Sequence, residues 1–328
     1  MIGKEKPSQL NKTDDENDEK PPFSRRQFLK FLAAVGASLG TAGLAACTRA
    51  ITVQPAQPTP VPTPIVVTKV VEATRLVEKI VEVVRVADTP TPTPAPEENH
   101  GMIWYVDIEH EKALADPTRA PNFDSVRRQR TWVMEDISKM PAESILYQQV
   151  SKELVKEKDV RAIAISGNTT DWIEYDFATF QSLFNIVKSG EIPVIGLCGG
   201  HQLIGLMYQT ECGPLRKLKP GESDPADWAP GWFKEVGYLP VQVVKEDPIF
   251  TGLGQEPIFF ESHYWEIKQV PSEFELLAST QECRIQTIKH KQYPIYGTQF
   301  HPEVNSADYM DGRKLLANFF RIAGILKE

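Results

Sequence analysis

From residue 101 onward, apolar and polar positions fall into two rhythms. "MIWYVDI" (102–108), "VRAIAIS" (160–166) and "PVIGLC" (193–198) are nearly unbroken apolar runs. Runs of that length predict strands buried on both faces. "SILYQQV" (144–150) is a further strand candidate. Helical spacing fills the intervals, over 123–140, over "YDFATFQSLFNIVKSG" (175–190), and from Gly199 to Tyr208. Strand and helix in alternation imply a mostly parallel sheet with flanking helices. After that the rhythm shortens. "GYLPVQVV", "PIFFESHYWEI", "FELLAST", "RIQTIKH" and "IYGTQFHPE" read as short strands separated by turn signals, an antiparallel extension, and "GRKLLANFFRIAGIL" as a closing helix. The expectation is one α/β domain over 101–328.

The first hundred residues carry no such rhythm. Residues 1–23 are polar and charged; "SRRQFLK" and the apolar stretch "FLAAVGASLGTAGLAAC" follow. Paired Arg25 and Arg26, then Phe28 and Leu29, resemble a twin-arginine export signal. The apolar part is shorter and richer in glycine and alanine than the roughly 20 strongly apolar residues of a spanning helix. It ends in "LAAC", which resembles a lipobox with Cys47 as the lipidated residue. Residues 1–47 are therefore expected to be a twin-arginine signal with lipobox. The chain would be exported by that route and lipid-anchored on the outer face of the bacterial cytoplasmic membrane. The alternative is a cleaved signal in which Cys47 has no role. Residues 48–100 form a linker in which "QPAQPTPVPTP" and "DTPTPTPAPEE" favour extended polyproline-like chain. Between them Val67, Val70, Thr74, Val77, Val81 and Val84 are spaced as a heptad seam. Residues 66–86 are either a homo-oligomerising stalk or a plain spacer.

Charge and cysteines narrow the function. The 328-residue chain carries a formal net charge of -8, which argues against nucleic acid as a partner. Four cysteines are present, Cys47, Cys198, Cys212 and Cys283. With Cys47 lipidated, an odd number remains; Cys212 and Cys283 either pair or stay as thiols. Twin-arginine export carries folded proteins, so these thiols are buried before they meet an oxidant. No Cys/His spacing points to a metal, no "GxxxxGK[ST]" phosphate loop is present, and no cofactor is implied.

The candidate chemistry lies in "GLCGGHQLIG". Cys198 is either a nucleophile or a small apolar residue in a tight turn. It stands at the carboxyl end of an expected parallel strand, where such sheets place ligands, and directly before a helix. A turn of that kind exposes the side chain, and its glycines let a substrate approach. The N–H of Gly199 can then meet a developing oxyanion, and the helix N-terminus favours negative charge on sulfur.

"GLCGGHQLIG" is similar to the nucleophile motif of class I glutamine amidotransferases. "YGTQFHPE" supplies the family's late histidine and glutamate as His301 and Glu303, "ESHYWEI" its serine-histidine pair as Ser262 and His263, and "ISGNTTDW" its oxyanion loop at Gly167. The four stand in the family's order, and the resemblance spans roughly 101–328. It implies a flavodoxin-like, doubly wound fold. It implies a catalytic triad of Cys198, His301 and Glu303, and an oxyanion hole from Gly167 and Gly199. Gln202, Ser262 and the backbone at His263 would hold the glutamine α-groups. The implied reaction is hydrolysis of glutamine or a γ-glutamyl amide or peptide through a cysteine thioester. Two other readings stand beside it: a non-catalytic ligand-binding or scaffold lipoprotein, and a subunit that donates ammonia to a separate exported partner. Asn168 and Tyr264 occupy positions where the family usually has glycine. Asn168 is expected to take the positive φ of that glycine, and Tyr264 to narrow the pocket. His201 is expected to be non-catalytic, and His110 and His290 ordinary surface or strand residues.

Overall fold

The computed structural model describes residues 101–327. The export signal, Cys47, the linker and the 66–86 segment lie outside the described residues. The central sheet has eight strands. Five are parallel: β1 (Met102–Asp107), β2 (Ala142–Leu146), β3 (Val160–Ile165), β4 (Val194–Leu197) and β12 (Ile295–Thr298), in the order β2-β1-β3-β4-β12. This is the doubly wound flavodoxin order. From β12 the sheet continues antiparallel through β11 (Thr287–His290), β10 (Phe274–Ser279) and the two-residue edge strand β7 (Gln242–Val243).

The unbroken apolar runs arise because both faces are covered. In β1, Trp104 and Val106 face one core and Ile103 and Tyr105 the other; in β3, Ile163 and Ile165 alternate with Ala162 and Ala164. The first face packs on α4 (Gln181–Ser189) and α5 (Gly199–Met207) through Leu183, Phe184 and Leu203. The second packs on α2 (Ala120–Ser138) and α6 (Asp311–Ile322) through Met134, Leu315 and Phe319. Two short helices, α1 (Glu111–Leu114) and α3 (Lys152–Glu157), complete the connections. Among the described residues no helix is long and apolar enough to cross a membrane.

Outside the sheet are two antiparallel ribbons. One pairs β6 (Glu235–Pro240) with β8 (Ile258–His263), and the other pairs β5 (Cys212–Pro214) with β9 (Trp265–Ile267). The run "GYLPVQVV" is therefore two strands rather than one. It breaks at Val241, so that β6 joins the ribbon and β7 the sheet edge. The strand expected over 144–150 ends at Leu146, because Tyr147 turns inward and stacks on Phe180, ring centroids 4.1 Å apart. The helix expected over 175–190 starts at Gln181, after a 3-10 turn over Phe177–Phe180 that buries both phenylalanines. The strand expected over 284–290 is regular only from Thr287. The three described cysteines are free, buried thiols, so Cys212 and Cys283 do not pair.

Helix α5 lies tight against the strands that precede it. A Cβ on Gly196 would come 2.5 Å from the Gly200 carbonyl, and one on Gly200 would press into the carbonyl oxygen of Ile165. Gly200→Ala must therefore push α5 off the sheet. We expect a loss of about 2–3 kcal/mol, read as a lower midpoint in denaturant titration with an unchanged slope.

Candidate active site

The elbow is strained. Cys198 has φ 50° and ψ -102°, a conformation that costs a non-glycine residue about 1–3 kcal/mol. It is held by its neighbours: the Cys198 N–H donates to the carbonyl of Thr298 at 2.7 Å, extending the β4–β12 ladder by one step. Gly199 and Gly200 then open α5, and as its first residues they have N–H groups without intrahelical acceptors. A side chain at Gly199 would collide with the amide of Asn168. Asn168 is not among the residues of positive φ, so the conformation expected of it is corrected. Its side chain bridges to the Thr170 carbonyl at 2.7 Å and packs over the elbow instead.

His301 follows β12, the strand beside the elbow. Its N–H donates to the Phe260 carbonyl at 2.8 Å, and its Nδ1 lies 2.7 Å from Glu303 Oε1. Gly167 lies against both groups: a Cβ there would be 3.2 Å from His301 Cε1 and 3.6 Å from Cys198 Cβ. Thus Cys198, His301, Glu303, Gly167 and Gly199 converge. Burial works against charge on His301, but Glu303 and the Cys198 sulfur outweigh it and hold the imidazole well above its ordinary range. Burial likewise works against charge on Glu303, yet His301 and then Arg130 keep its carboxyl below the ordinary glutamate value.

Cys198 opens on two clefts. One, of about 420 Å³, has aromatic walls from Trp172, Trp228, Tyr264 and Trp265. The other, of about 350 Å³, is lined by His301, Glu303, Arg127, Arg130, Phe123 and Phe260. Ser262 lines both. Tyr264 spans the first cleft, its hydroxyl donating to Asp171 at 2.9 Å and its ring meeting Trp228 edge-on. Gln202 lines that cleft with its amide already committed. It accepts from Trp172 Nε1 at 2.9 Å and donates to the Trp265 carbonyl at 3.0 Å and to Gln299 Oε1 at 3.2 Å. Both ring nitrogens of His263 are also committed, to the Trp265 carbonyl at 2.9 Å and to Glu235 at 3.0 Å. What His263 offers a ligand is backbone.

Of the remaining histidines, His290 ends strand β11, as expected, while His110 is neither exposed nor in a strand but caps α1. His110 and His290 are buried, not surface residues; Nδ1 of each accepts a backbone N–H, from Lys112 and Gln292 respectively. His201 is fully buried behind the elbow with neither ring nitrogen hydrogen-bonded. Burial and the nearby His263 push its imidazole down to about 3.

Three residues at the site were not singled out from the sequence. Gln299, fully buried, donates Nε2–H to the Cys198 sulfur at 3.6 Å. Its signal was its place inside "GTQFHPE". Arg130 on α2 donates to the Glu303 carbonyl at 3.3 Å, with its Nε 3.7 Å from the carboxylate. A helix residue 173 positions away in sequence gives no local hint of this. Glu109, after β1, gathers the oxyanion loop, accepting from Thr169 N at 2.7 Å and from the Thr169 and Thr170 hydroxyls at 2.6 and 2.7 Å. The buried acidic residue in "VDIEH" at a strand end was its only trace.

The pattern of the family described as Glutamine amidotransferase class-I matches residues 129–323. Residues 22–42 match the TAT (twin-arginine translocation) pathway signal sequence, which supports export by that route. The chain is 33% identical over 173 residues to a GMP synthase (glutamine-hydrolyzing) subunit of Methanocaldococcus jannaschii, covering 53% of this chain and 79% of that one. To the subunit of the same name from Methanococcus maripaludis it is 33% identical over 185 residues, covering 56% and 85%. The crystal structure of a protein assigned as a GMP synthase subunit from Thermoplasma acidophilum superposes with a TM-score of 0.51 at 26% identity, covering 69% of this chain and 94% of that one.

The site's electrostatics predict how His301 titrates. Its imidazole should remain protonated well above pH 6.5 when followed by NMR, and Glu303→Gln should move the titration to lower pH, because the carboxylate is what favours the charged ring. In Gln299→Leu, loss of the N–H toward sulfur should slow alkylation of Cys198 by iodoacetamide about 10-fold.

Proposed function

The chain belongs to the class-I glutamine amidotransferase family, and from that premise we propose that it is an exported, lipid-anchored amidohydrolase. It cleaves the side-chain amide of glutamine, or of a γ-glutamyl amide or peptide, through a thioester on Cys198. One observation carries the reading. A strained cysteine on a helix N-terminus stands beside a histidine that a buried glutamate holds at 2.7 Å, with clefts on either side.

In this reaction the Cys198 sulfur attacks the amide carbon while its proton rests on His301. The Gly199 N–H and the Gly167 loop receive the negative charge on oxygen, a contribution of about 3–4 kcal/mol. As the C–N bond breaks, His301 gives its proton to the departing nitrogen. Water, deprotonated by His301, then attacks the thioester, the C–S bond breaks, and glutamate leaves with Cys198 restored. Glu303 keeps Nδ1–H engaged so that Nε2 does the transfer.

The two clefts have different tasks. His301 lines only the second, so the leaving nitrogen, which needs its proton, departs there. The acyl part and its α-groups lie on the aromatic side, beside Ser262, the His263 backbone and Tyr264. A substituent on the amide nitrogen would project toward Phe123 and Phe260, and an ammonia-accepting partner would engage that same face. This second reading draws on the relatives being named as one subunit of a synthase.

Purified full-length protein should release ammonia from glutamine or glutamate from a γ-glutamyl panel. Cys198→Ala should abolish turnover, and Glu303→Gln should lower kcat by about 10²–10⁴-fold. Ligand binding without turnover across the panel would instead favour a scaffold. Turnover appearing only with a co-purified protein would favour the ammonia donor. The anchor is read separately: metabolic labelling with a fatty acid should be lost in Cys47→Ala, and labelling that survives the substitution removes the lipid.

A further inference from the structure

Beside the aromatic cleft, which His263 also lines, lies a buried cluster whose side chains have no part in that reaction. Glu235 opens β6 and stands directly opposite His263, the last residue of β8. Cys283 lies in the turn between β10 and β11. One ligand atom from each of these three lies within 4.8 Å of the others, and all three residues are buried. Glu261, two residues before His263, is 0% exposed, and its Oε2 is 3.3 Å from His263 Nε2. Neither of its carboxylate oxygens has a hydrogen-bond partner.

The hydrogen bonds define what the cluster accepts. His263 Nδ1 faces a carbonyl, that of Trp265, and a carbonyl can only accept, so Nδ1 carries a proton. Nε2 then points its remaining site between Glu235 at 3.0 Å and Glu261 at 3.3 Å. Whatever occupies that site is a cation: either a proton, making the ring imidazolium, or a metal. A carbonyl behind a histidine, fixing its tautomer, is the usual outer support of a metal ligand. Glu235 is oriented in the same way, by Thr280 at 2.6 Å on one oxygen and Gln286 at 2.8 Å on the other. Ligand atoms about 3.3–3.7 Å apart suit tetrahedral bonds of 2.0–2.3 Å; here the Glu235 and Glu261 oxygens lie 3.0 and 3.3 Å from His263 Nε2, and the Glu235, His263 and Cys283 atoms all lie within 4.8 Å of one another. Imidazole, carboxylate and thiol together suit a borderline divalent ion such as zinc, not calcium or magnesium.

We propose that Glu235, His263 and Cys283 bind a divalent transition metal of the zinc class, with the buried Glu261 carboxylate, which faces the same His263 Nε2, beside it to close the coordination or balance its charge. On binding, the imidazolium and the Cys283 thiol each release a proton, and no electron is transferred. The ion ties the β6–β8 ribbon to the β10–β11 turn. It therefore fixes the strand end that delivers Ser262, His263 and Tyr264 to the aromatic cleft. Because the cluster is sealed from solvent, the metal loads as the chain folds, before a route that exports folded proteins. Without metal, a proton on His263 Nε2 takes the ion's place between Glu235 and Glu261.

Elemental analysis of the full-length protein purified from zinc-supplemented cells should find one zinc per chain. Chelator-stripped protein refolded with Co²⁺ should show tetrahedral d–d bands and a near-ultraviolet thiolate-to-cobalt band, and melt at a higher temperature than without metal. Cys283→Ser should lose the charge-transfer band, Glu235→Gln should weaken binding about 10–100-fold, and Cys198→Ala should keep the band. The wild-type spectrum decides even where Cys283→Ser fails to fold. A stripped protein that gives neither band nor thermal shift overturns the proposal. A band that vanishes in Cys198→Ala also overturns it, by placing the metal on the elbow. None of these readouts uses turnover, so failure here leaves the amidohydrolase reading standing.

Discussion

The parallel pairing of β4 with β12 is the constraint on which the site depends. It runs from Val194 opposite Ile295 to Leu197 opposite Thr298. One residue later the chains part. Cys198 takes its positive φ and enters a helix, while Gln299, Phe300 and His301 continue until His301 bonds back to β8. Because the two strands share a register, the sulfur, the amide of Gln299 and the imidazole arrive at one place from positions about a hundred residues apart. The strain at Cys198 persists because the Thr298 carbonyl holds the N–H on one side and the packing of Gly196 and Gly200 leaves α5 no room to relax on the other.

Around that junction, polar side chains are fixed by others further out. Trp172 orients Gln202, Gln202 orients Gln299, and Gln299 reaches the sulfur. Arg130 supports Glu303, which orients His301. A buried amide or carboxylate without partners costs about 1–3 kcal/mol or more, so each link stabilises the one inside it. This is also why Gln202, expected to contact ligand, instead has both ends of its amide engaged. A helix residue beside a nucleophile can serve the pocket by holding its wall.

What was legible from the sequence follows from range. The buried strands and the glycine-bounded elbow are local patterns, and 102–108, 160–166 and 193–198 each hold a strand. The breaks were less legible because they come from tertiary contacts: Tyr147 leaves its strand to stack on Phe180, and the "GYLPVQVV" run, 237–244, divides between ribbon and sheet. The same holds at the site. The motifs indicated which residues converge, but Glu109 and Arg130 act across long separations, and Asn168 stands at an expected glycine without adopting a glycine conformation. The Glu235–His263–Cys283 cluster has no sequence spacing at all, because a strand pair and a turn assemble it.

The position of Tyr264 connects these levels. It stands where the resemblance leads one to expect glycine and does not simply fill the pocket: its hydroxyl reaches Asp171 across the cleft, and its ring turns its edge to Trp228. Trp228 in turn stacks near Lys234, which pairs with Asp224. Trp228 of the 215–234 segment thus forms one wall of the aromatic cleft, and that segment runs into β6 at Glu235, opposite His263. A shift of the ribbon would carry Ser262, Tyr264 and this wall together, since Ser262 lies in β8, Tyr264 follows it and the 215–234 segment enters β6. Selection on the acyl side of the proposed reaction therefore belongs to the ribbon and its anchorage, while the elbow is fixed by the central sheet and His301 is tied to both, following β12 on one side and bonded to Phe260 of β8 on the other.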